Sequence, residues 1–239
     1  MTSRPITLTV LACAASLWSA TAHATADGPD HYQVTGVQSD DVLNIRATPA
    51  ADGALIGTIP AGTNGVMAFG CIGGLSLQDW QDASETERAA ASKTRWCIVG
   101  HDRTIGWAAG WFLSEGSGPD TLNAGGRLSD LAGSEWLLRD LSGTPAGAEA
   151  WIGFKSDGTA AGNSGCNMFN GRYDTVSDGP IMGPVAMTRR VCMGSEGETE
   201  QGFMQALAAA DRIVATHLLL ALFDADNRLV ATLTRRDAD

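Results

Sequence analysis

The first half of the chain alternates short apolar runs with turn residues. Residues 42–46 alternate apolar and polar side chains, and residues 55–59 form a second apolar run that ends at Pro60. Gly, Pro and Asp are concentrated between and after these runs, at residues 48–53 and 60–63. Short runs separated by turn residues predict a small antiparallel all-β unit.

A polar stretch interrupts this pattern at residues 75–93. Ser84 and Glu87 have the spacing of a capping box, in which each side chain accepts a hydrogen bond from the other residue's backbone N–H. Three alanines follow at residues 89–91 and favour helix. The sequence therefore predicts a helical insertion inside the all-β unit.

The second half is also patterned as strands. Residues 136–141 and 150–154 are apolar-rich runs, and Asp-Gly at residues 157–158 is a strong hairpin signal. Two further runs, at residues 217–223 and 228–233, flank a turn and predict a terminal hairpin. These patterns predict an antiparallel sheet.

One helix is predicted within this second half, over residues 196–210. Ser195 and Glu198 have capping-box spacing. The apolar residues that recur at helical spacing are Phe203, Met204, Leu207 and Ala208. Such a stripe predicts that the helix packs against the sheet.

Residues 116–128 are rich in Gly, Ser, Pro and Asn and contain few apolar side chains. This composition predicts a linker between a first domain at residues 30–115 and a second at residues 129–237. We expect the two domains to move relative to each other unless they share an apolar interface.

The N-terminal segment has the features of a signal peptide over residues 1–26. Arg4 precedes an apolar run at residues 6–18, and Ala-His-Ala at residues 22–24 has the form of a cleavage site. We expect export to the periplasm or the medium, with a lipoprotein attached through Cys13 as the alternative. The run is too short to span a membrane permanently.

The chain carries a formal net charge of −11, and 44% of its residues are hydrophobic. The excess of acid argues against nucleic acid and anionic membrane surfaces as partners. The hydrophobic content is sufficient for folded cores, which excludes general disorder.

Four cysteines follow the signal peptide, and an oxidising compartment favours disulfides. The pairing that respects the domain boundary joins Cys71 to Cys97 and Cys166 to Cys192. Zinc is one alternative, although the spacing lacks a C-x₂-C pair and no histidine lies beside these residues. A catalytic thiol at Cys166 with His217 as its base is another, and free buried thiols are the third.

Several motifs of the first half resemble the bacterial SH3-like (SH3b) domain. They are residues 43–46 with Pro49, residues 56–59 with Gly62, residues 106–108 and residues 111–113. The resemblance covers residues 32–115 and implies a small barrel that binds cell-wall peptide or glycan through an aromatic groove. Trp80 and Trp111 are the predicted ligand-binding tryptophans, whereas Trp96 and Trp107 are predicted to lie in the core.

The second half resembles the META domain, the HslJ-like family of bacterial envelope and stress proteins, at residues 131–136, 162–171 and 188–192. This resemblance covers residues 129–235 and implies a lipocalin-like, curved antiparallel sheet with one packed helix. The residues that match the family motifs are Gly165, Asn167, Thr188 and Arg189. We expect them to hold the bend beside the disulfide.

The fold class is therefore predicted as mainly β, with a small SH3-like barrel followed by a curved antiparallel domain. The predicted function is that of a non-catalytic envelope protein. Its SH3-like domain would bind peptidoglycan or an envelope protein, and its META domain would act in stress tolerance. The main alternative is a carrier of a small molecule or lipid in the META domain, and a hydrolase is a third possibility. No metal or cofactor is expected.

Overall fold

The computed structural model describes residues 29–117, 130–175 and 181–236. The predicted signal peptide and all but the first two residues of the predicted linker lie outside these ranges. The described chain is mainly β and consists of two antiparallel sheets with few helices. None of the helices described is long and apolar enough to cross a lipid bilayer. The predicted fold class is confirmed, while the SH3-like assignment of the first sheet stays a prediction.

The first sheet contains seven strands in the order β3-β2-β6-β5-β4-β1-β7. Their bounds are β1 His31–Val34, β2 Val42–Arg46, β3 Leu55–Pro60, β4 Val66–Ile72, β5 Trp96–His101, β6 Thr104–Ala109 and β7 Leu113–Glu115. A short 3₁₀ turn, Gly110–Phe112, connects β6 to β7. The two strands predicted at residues 42–46 and 55–59 are confirmed.

The polar stretch between β4 and β5 forms two helices, α1 Leu77–Asp82 and α2 Glu85–Ser92. The Ser84 hydroxyl accepts a hydrogen bond from the Glu87 N–H, and the Glu87 carboxylate accepts one from the Ser84 N–H. The predicted capping box is therefore confirmed, and it fixes the start of α2.

Cys71 on β4 and Cys97 on β5 lie opposite each other in the sheet and form a disulfide, as predicted. The bond joins the two strands at the base of the helical insertion. Its sequence separation of 26 residues corresponds to a stabilisation of about 3.5 kcal/mol in the chain-entropy model.

The second sheet has the order β13-β12-β11-β10-β8-β16-β15-β14, with the short β9 paired to β8. Its strands are β8 Ser134–Leu141, β9 Thr144–Pro145, β10 Trp151–Phe154, β11 Thr159–Asn163, β12 Met168–Tyr173, β13 Met182–Met187, β14 Ala210–Ala215, β15 Leu219–Asp224 and β16 Leu229–Arg235. The hairpins predicted at residues 157–158 and 217–233 are confirmed as β10–β11 and β15–β16.

The helix of this half, α3, spans Ser195–Ala209 and packs on the sheet through Phe203, Ala206 and Leu207. The predicted stripe is correct for Phe203 and Leu207, but Ala208 is exposed and Ala206 is buried instead. The predicted capping box is wrong. Gly194 is the N-cap, with a φ of +63° that favours glycine, so Ser195 is already helical and caps nothing.

The two sheets share an apolar interface built around Trp107 of β6. Trp107 is fully buried, and its ring meets that of Phe223 edge-to-face with centroids 5.9 Å apart. The residues buried with this pair are Ala47, Ile98 and Ile105 from the first sheet side and Val214, Leu219, Ala221 and Leu229 from the second. The predicted burial of Trp107 is confirmed. The core in which it is buried lies between the two sheets and not within the first sheet alone.

Hydrogen bonds also cross this interface beside the apolar contact. The Trp107 indole N–H donates to the Asn227 carbonyl over 2.8 Å, and the Leu229 N–H donates to the Ala47 carbonyl over 2.8 Å. The two halves therefore share an apolar interface, and we do not expect them to move independently.

Replacing Trp107 with alanine tests the coupling of the two sheets. The change leaves a large cavity and an unpaired Asn227 carbonyl, so we expect unfolding to cost about 3–5 kcal/mol less than in the wild type. Amide hydrogen exchange should accelerate in both β5–β6 and β14–β16. Trp80→Ala, at a half-exposed position, is the control, and unchanged exchange in the second sheet would contradict the coupling.

Candidate binding groove and the disulfide-linked turn

A groove of about 320 Å³ lies on the first sheet beside the β1–β2 loop and the Gly110–Phe112 turn. Its lining consists of Gly36, Val37, Gln38, Asp41, Val42, Leu43, Asn44, Arg46, Ala51, Trp96, Ala109, Trp111 and Phe112. Apolar side chains dominate this list, with a few polar groups among them. That composition is typical of a ligand-binding pocket.

Three aromatic rings form one wall of the groove. Trp111 meets Trp96 edge-to-face, with ring centroids 5.6 Å apart, and its ring lies 5.8 Å from that of Phe112. Trp111 nevertheless keeps 37% of its surface exposed. Its neighbours hold the exposed ring in place. Stacking of a ligand on the ring would therefore cost little side-chain entropy of Trp111.

The polar groups of the groove carry both signs of charge. The Arg46 guanidinium donates to the Gly53 carbonyl over 2.7 Å, which fixes its position. The Asp41 carboxylate accepts from the Val42 N–H over 2.8 Å. With Asn44 beside them, these groups offer donors and acceptors to a polar ligand, as amide and hydroxyl groups require.

The structure separates the two predicted ligand-binding tryptophans. Trp80 lies on α1 with 44% of its surface exposed, the Arg88 guanidinium lies 5.4 Å from its ring centroid, and Trp80 does not line the groove. Trp96, predicted to be core, is half-buried: it packs against the core and also lines the groove with Trp111. The sequence contained a signal for this position of Trp96. Successive strand residues face opposite sides of a sheet, so a disulfide made by Cys97 on one side indicates that Trp96 faces the other.

The turn between β11 and β12 is held by the second predicted disulfide, Cys166–Cys192, which the structure confirms. Gly165 adopts a φ of +103°, which favours glycine. Asn163 accepts from the Gly165 N–H through its side-chain oxygen over 2.8 Å. The glycine and asparagine content of this stretch thus serves a tight, internally bonded turn.

Asn167 is buried at the centre of a hydrogen-bond network beside this disulfide. Its side-chain oxygen accepts from the Thr188 hydroxyl over 2.8 Å and from the Arg190 N–H over 2.7 Å. Its amide nitrogen donates to the Arg190 carbonyl over 3.0 Å and to the Glu200 carboxylate over 3.1 Å. One side chain therefore joins the turn, the segment after β13 and helix α3.

Glu200 is the residue of this network that the sequence analysis missed. Its carboxylate also accepts from the Asn167 backbone N–H over 2.9 Å and from the hydroxyl of Ser164, which is fully buried. A carboxylate satisfied by several donors fixes α3 against the turn. Helical spacing was a usable signal for Glu200. It lies three residues before Phe203, which places it beside Phe203 at the edge of the apolar stripe of α3.

Among the four motif residues, the structure brings Gly165, Asn167 and Thr188 together at the turn. Arg189 is exposed, and the contacts that the structure gives here run through the backbone of Arg190 instead. The Arg190 side chain pairs with Glu196 over 3.2 Å on the surface, where such pairs add little stability.

The described residues around this disulfide include one group with metal-ligand spacing. The two sulfurs of Cys166 and Cys192 and a carboxylate oxygen of Glu196 lie within 4.8 Å of one another. Both sulfurs are committed to the disulfide, so neither is a thiolate that could bind zinc or attack a substrate. His217, the predicted base for Cys166, is exposed between β14 and β15.

Comparison with known proteins bears on the second half of the chain. The family model described as the META domain matches residues 129–237, which confirms the predicted META domain there. A search of curated proteins found no match.

Solved structures were also compared with the chain. An NMR structure of a protein from Burkholderia xenovorans is 26% identical, with 52% of this chain and 95% of that chain covered and a TM-score of 0.38. A crystal structure of a DUF4847 family protein from Bacteroides vulgatus is 15% identical, with 46% of this chain and 96% of that chain covered and a TM-score of 0.35.

Replacing Asn167 with alanine tests the role of the buried network. The change removes the hydrogen bonds that the Asn167 side chain makes to the Thr188 hydroxyl, the Arg190 backbone and the Glu200 carboxylate, so we expect a loss of about 3 kcal/mol in the free energy of unfolding. Denaturant unfolding measures this loss. Asn170→Ala, at an exposed position of β12, is the matched control, and equal stability of the two variants would contradict the assigned role.

Proposed function

We propose that this is a non-catalytic protein of the bacterial cell envelope whose first sheet binds cell-wall material through the Trp111 groove. In this proposal the META domain acts in envelope stress tolerance. The observation that carries the binding role is the exposed Trp111 ring, held by Trp96 and Phe112 beside polar groups of both signs. The two disulfides support export, since disulfides persist in oxidising compartments.

The chemistry of the groove suits a peptide or glycan of the wall. Its aromatic wall supports stacking and apolar contact, and Asp41, Asn44 and Arg46 supply hydrogen-bonding groups. A purely apolar ligand would leave these polar groups desolvated without partners, at a cost in free energy. The lining contains no histidine or cysteine and a single carboxylate, which supports binding without catalysis.

The alternative function, a small-molecule or lipid carrier, needs space inside the second domain. The apolar face of its sheet, which carries Trp136, Ile152 and Phe169, packs in one core with α3. Phe203 of α3 is fully buried there, and its ring lies 6.1 Å from that of Phe169. A carrier would have to displace this packed helix, so the packing favours the groove as the ligand site.

Co-sedimentation of the full chain with purified peptidoglycan sacculi tests the proposal. Trp111→Ala removes the exposed ring, and we expect the dissociation constant to rise about 30-fold, as for a binding hot spot worth about 2 kcal/mol. Trp80→Ala, equally an exposed tryptophan but outside the groove, should bind like the wild type.

Point variants are preferable to isolated halves, because cutting the chain would expose Trp107 and its partners. Equal sedimentation of wild type and Trp111→Ala would place wall binding outside the groove. No sedimentation of any form would reject wall binding and leave a protein partner as the ligand of the groove.

A further inference from the structure

A second cleft, of about 580 Å³, lies on the second sheet and is separate from the groove. We call it the Gly153 cleft. Its floor contains Gly153 of β10 and Ala161 of β11, which are directly paired in the sheet. Trp151 forms one wall, the turn at residues 155–157 forms the opposite wall, and Glu135 of β8 lies at one end.

The cleft occupies the outer face of the sheet. Ile152 and Phe154 are buried in the core, so the alternating residues Trp151 and Gly153 point the other way. Small residues at Gly153 and Ala161 leave the backbone accessible between two taller walls. A Cβ at Gly153 would lie 3.3 Å from Glu135 Cγ, which shows how closely the floor is bounded at that end.

The Trp151 ring is held in a fixed position. The Arg236 guanidinium lies 4.5 Å from the centroid of the indole, and it also reaches the Glu135 carboxylate at 3.6 Å. Trp151 lines the cleft and Arg236 does not. An indole restrained in this way offers an apolar surface to a ligand at a low entropic cost.

The polar groups of the cleft include both donors and acceptors. Lys155 is exposed at the turn and donates hydrogen bonds only. Asp157 accepts from the Thr159 hydroxyl and from its N–H over 2.9 Å, and these bonds lower the pKa of the Asp157 carboxyl. Asp157 and Glu135 supply carboxylate oxygens as acceptors, so the cleft has no single sign of charge.

Two classes of ligand fit this cleft poorly. An extended peptide that binds by adding a strand needs a free sheet edge, but β8, β10 and β11 are each paired on both sides. A lipid chain would cover Lys155, Asp157 and Glu135 without satisfying their hydrogen-bonding groups.

We propose that the Gly153 cleft binds a short neutral oligosaccharide. The C–H face of a sugar ring packs on the Trp151 indole, and the ring lies over the small floor. Sugar hydroxyls both donate and accept, so they satisfy Lys155 and Asp157 on the turn and Glu135 at the end of the cleft. The floor crosses β8, β10 and β11, a distance of roughly 10 Å at sheet spacing, which accommodates a few sugar rings.

Isothermal titration of the full chain with two neutral probes, chitotetraose and cellotetraose, tests this proposal. Ala161→Ile places a larger side chain over the floor at a strand position that favours β-branched residues. We expect at least one probe to bind the wild type, and Ala161→Ile to weaken that binding about tenfold or more. Ala186→Ile is the matched control, since it is the same change at an exposed position of β13 outside the cleft.

Two further variants keep the result unambiguous. Each titration is repeated in a Trp111→Ala background, which removes glycan binding by the groove, so the binding that remains reports on this cleft and failures of the two proposals are distinguishable. Lys155→Met should weaken binding without changing the melting temperature, which covers the case in which Ala161→Ile is unstable. The proposal is overturned if neither probe binds the wild type, or if Ala161→Ile and Lys155→Met both bind as the wild type does.

Discussion

The contact between Trp107 and Phe223 is the interaction on which the arrangement of the molecule depends. Trp107 belongs to the first sheet, yet its ring is buried against the second, and its indole N–H is satisfied by the Asn227 carbonyl of the β15–β16 turn. Burial of a tryptophan removes a large apolar area from water, and here that area is shared between two sheets. Each sheet therefore completes part of the core of the other, and neither is a free module.

Within the second sheet, the buried polar network around Asn167 has a complementary role. Apolar packing between α3 and the sheet does not by itself fix the position of the helix along the sheet. The bonds from Asn167 and Ser164 to Glu200 fix that position, because each buried group loses its partner if the helix shifts. The adjacent Cys166–Cys192 disulfide restrains the two segments that present these groups. The interior of this half is filled by side chains and restrained by hydrogen bonds and a disulfide. The surfaces outside it are therefore the better candidates for binding.

The features that the sequence predicted correctly are mostly local. The Ser84–Glu87 capping box and the Asp-Gly hairpin depend on residues a few positions apart, and the pairing of the cysteines followed from one boundary. The failures depend on distant groups or on a single backbone angle. Ser195 has the capping-box spacing, but Gly194, with its positive φ, is the N-cap, so Ser195 lies inside the helix. Strand alternation and helical spacing indicate the orientation of Trp96 and Glu200, but their partners lie on the Gly110–Phe112 turn and the β11–β12 turn, and local spacing does not identify those partners.

The two proposed binding surfaces share one physical device. Each presents a tryptophan restrained by a neighbouring side chain, Trp111 by Trp96 and Trp151 by Arg236. They lie on different sheets, and the Trp107 interface holds those sheets together, so the separation of the two surfaces is fixed. When one polymer supplies both ligands, the second contact is intramolecular and benefits from a high effective concentration, provided that the polymer spans the distance. Modest affinity at each surface is then sufficient for firm attachment, which is consistent with the small size of both sites.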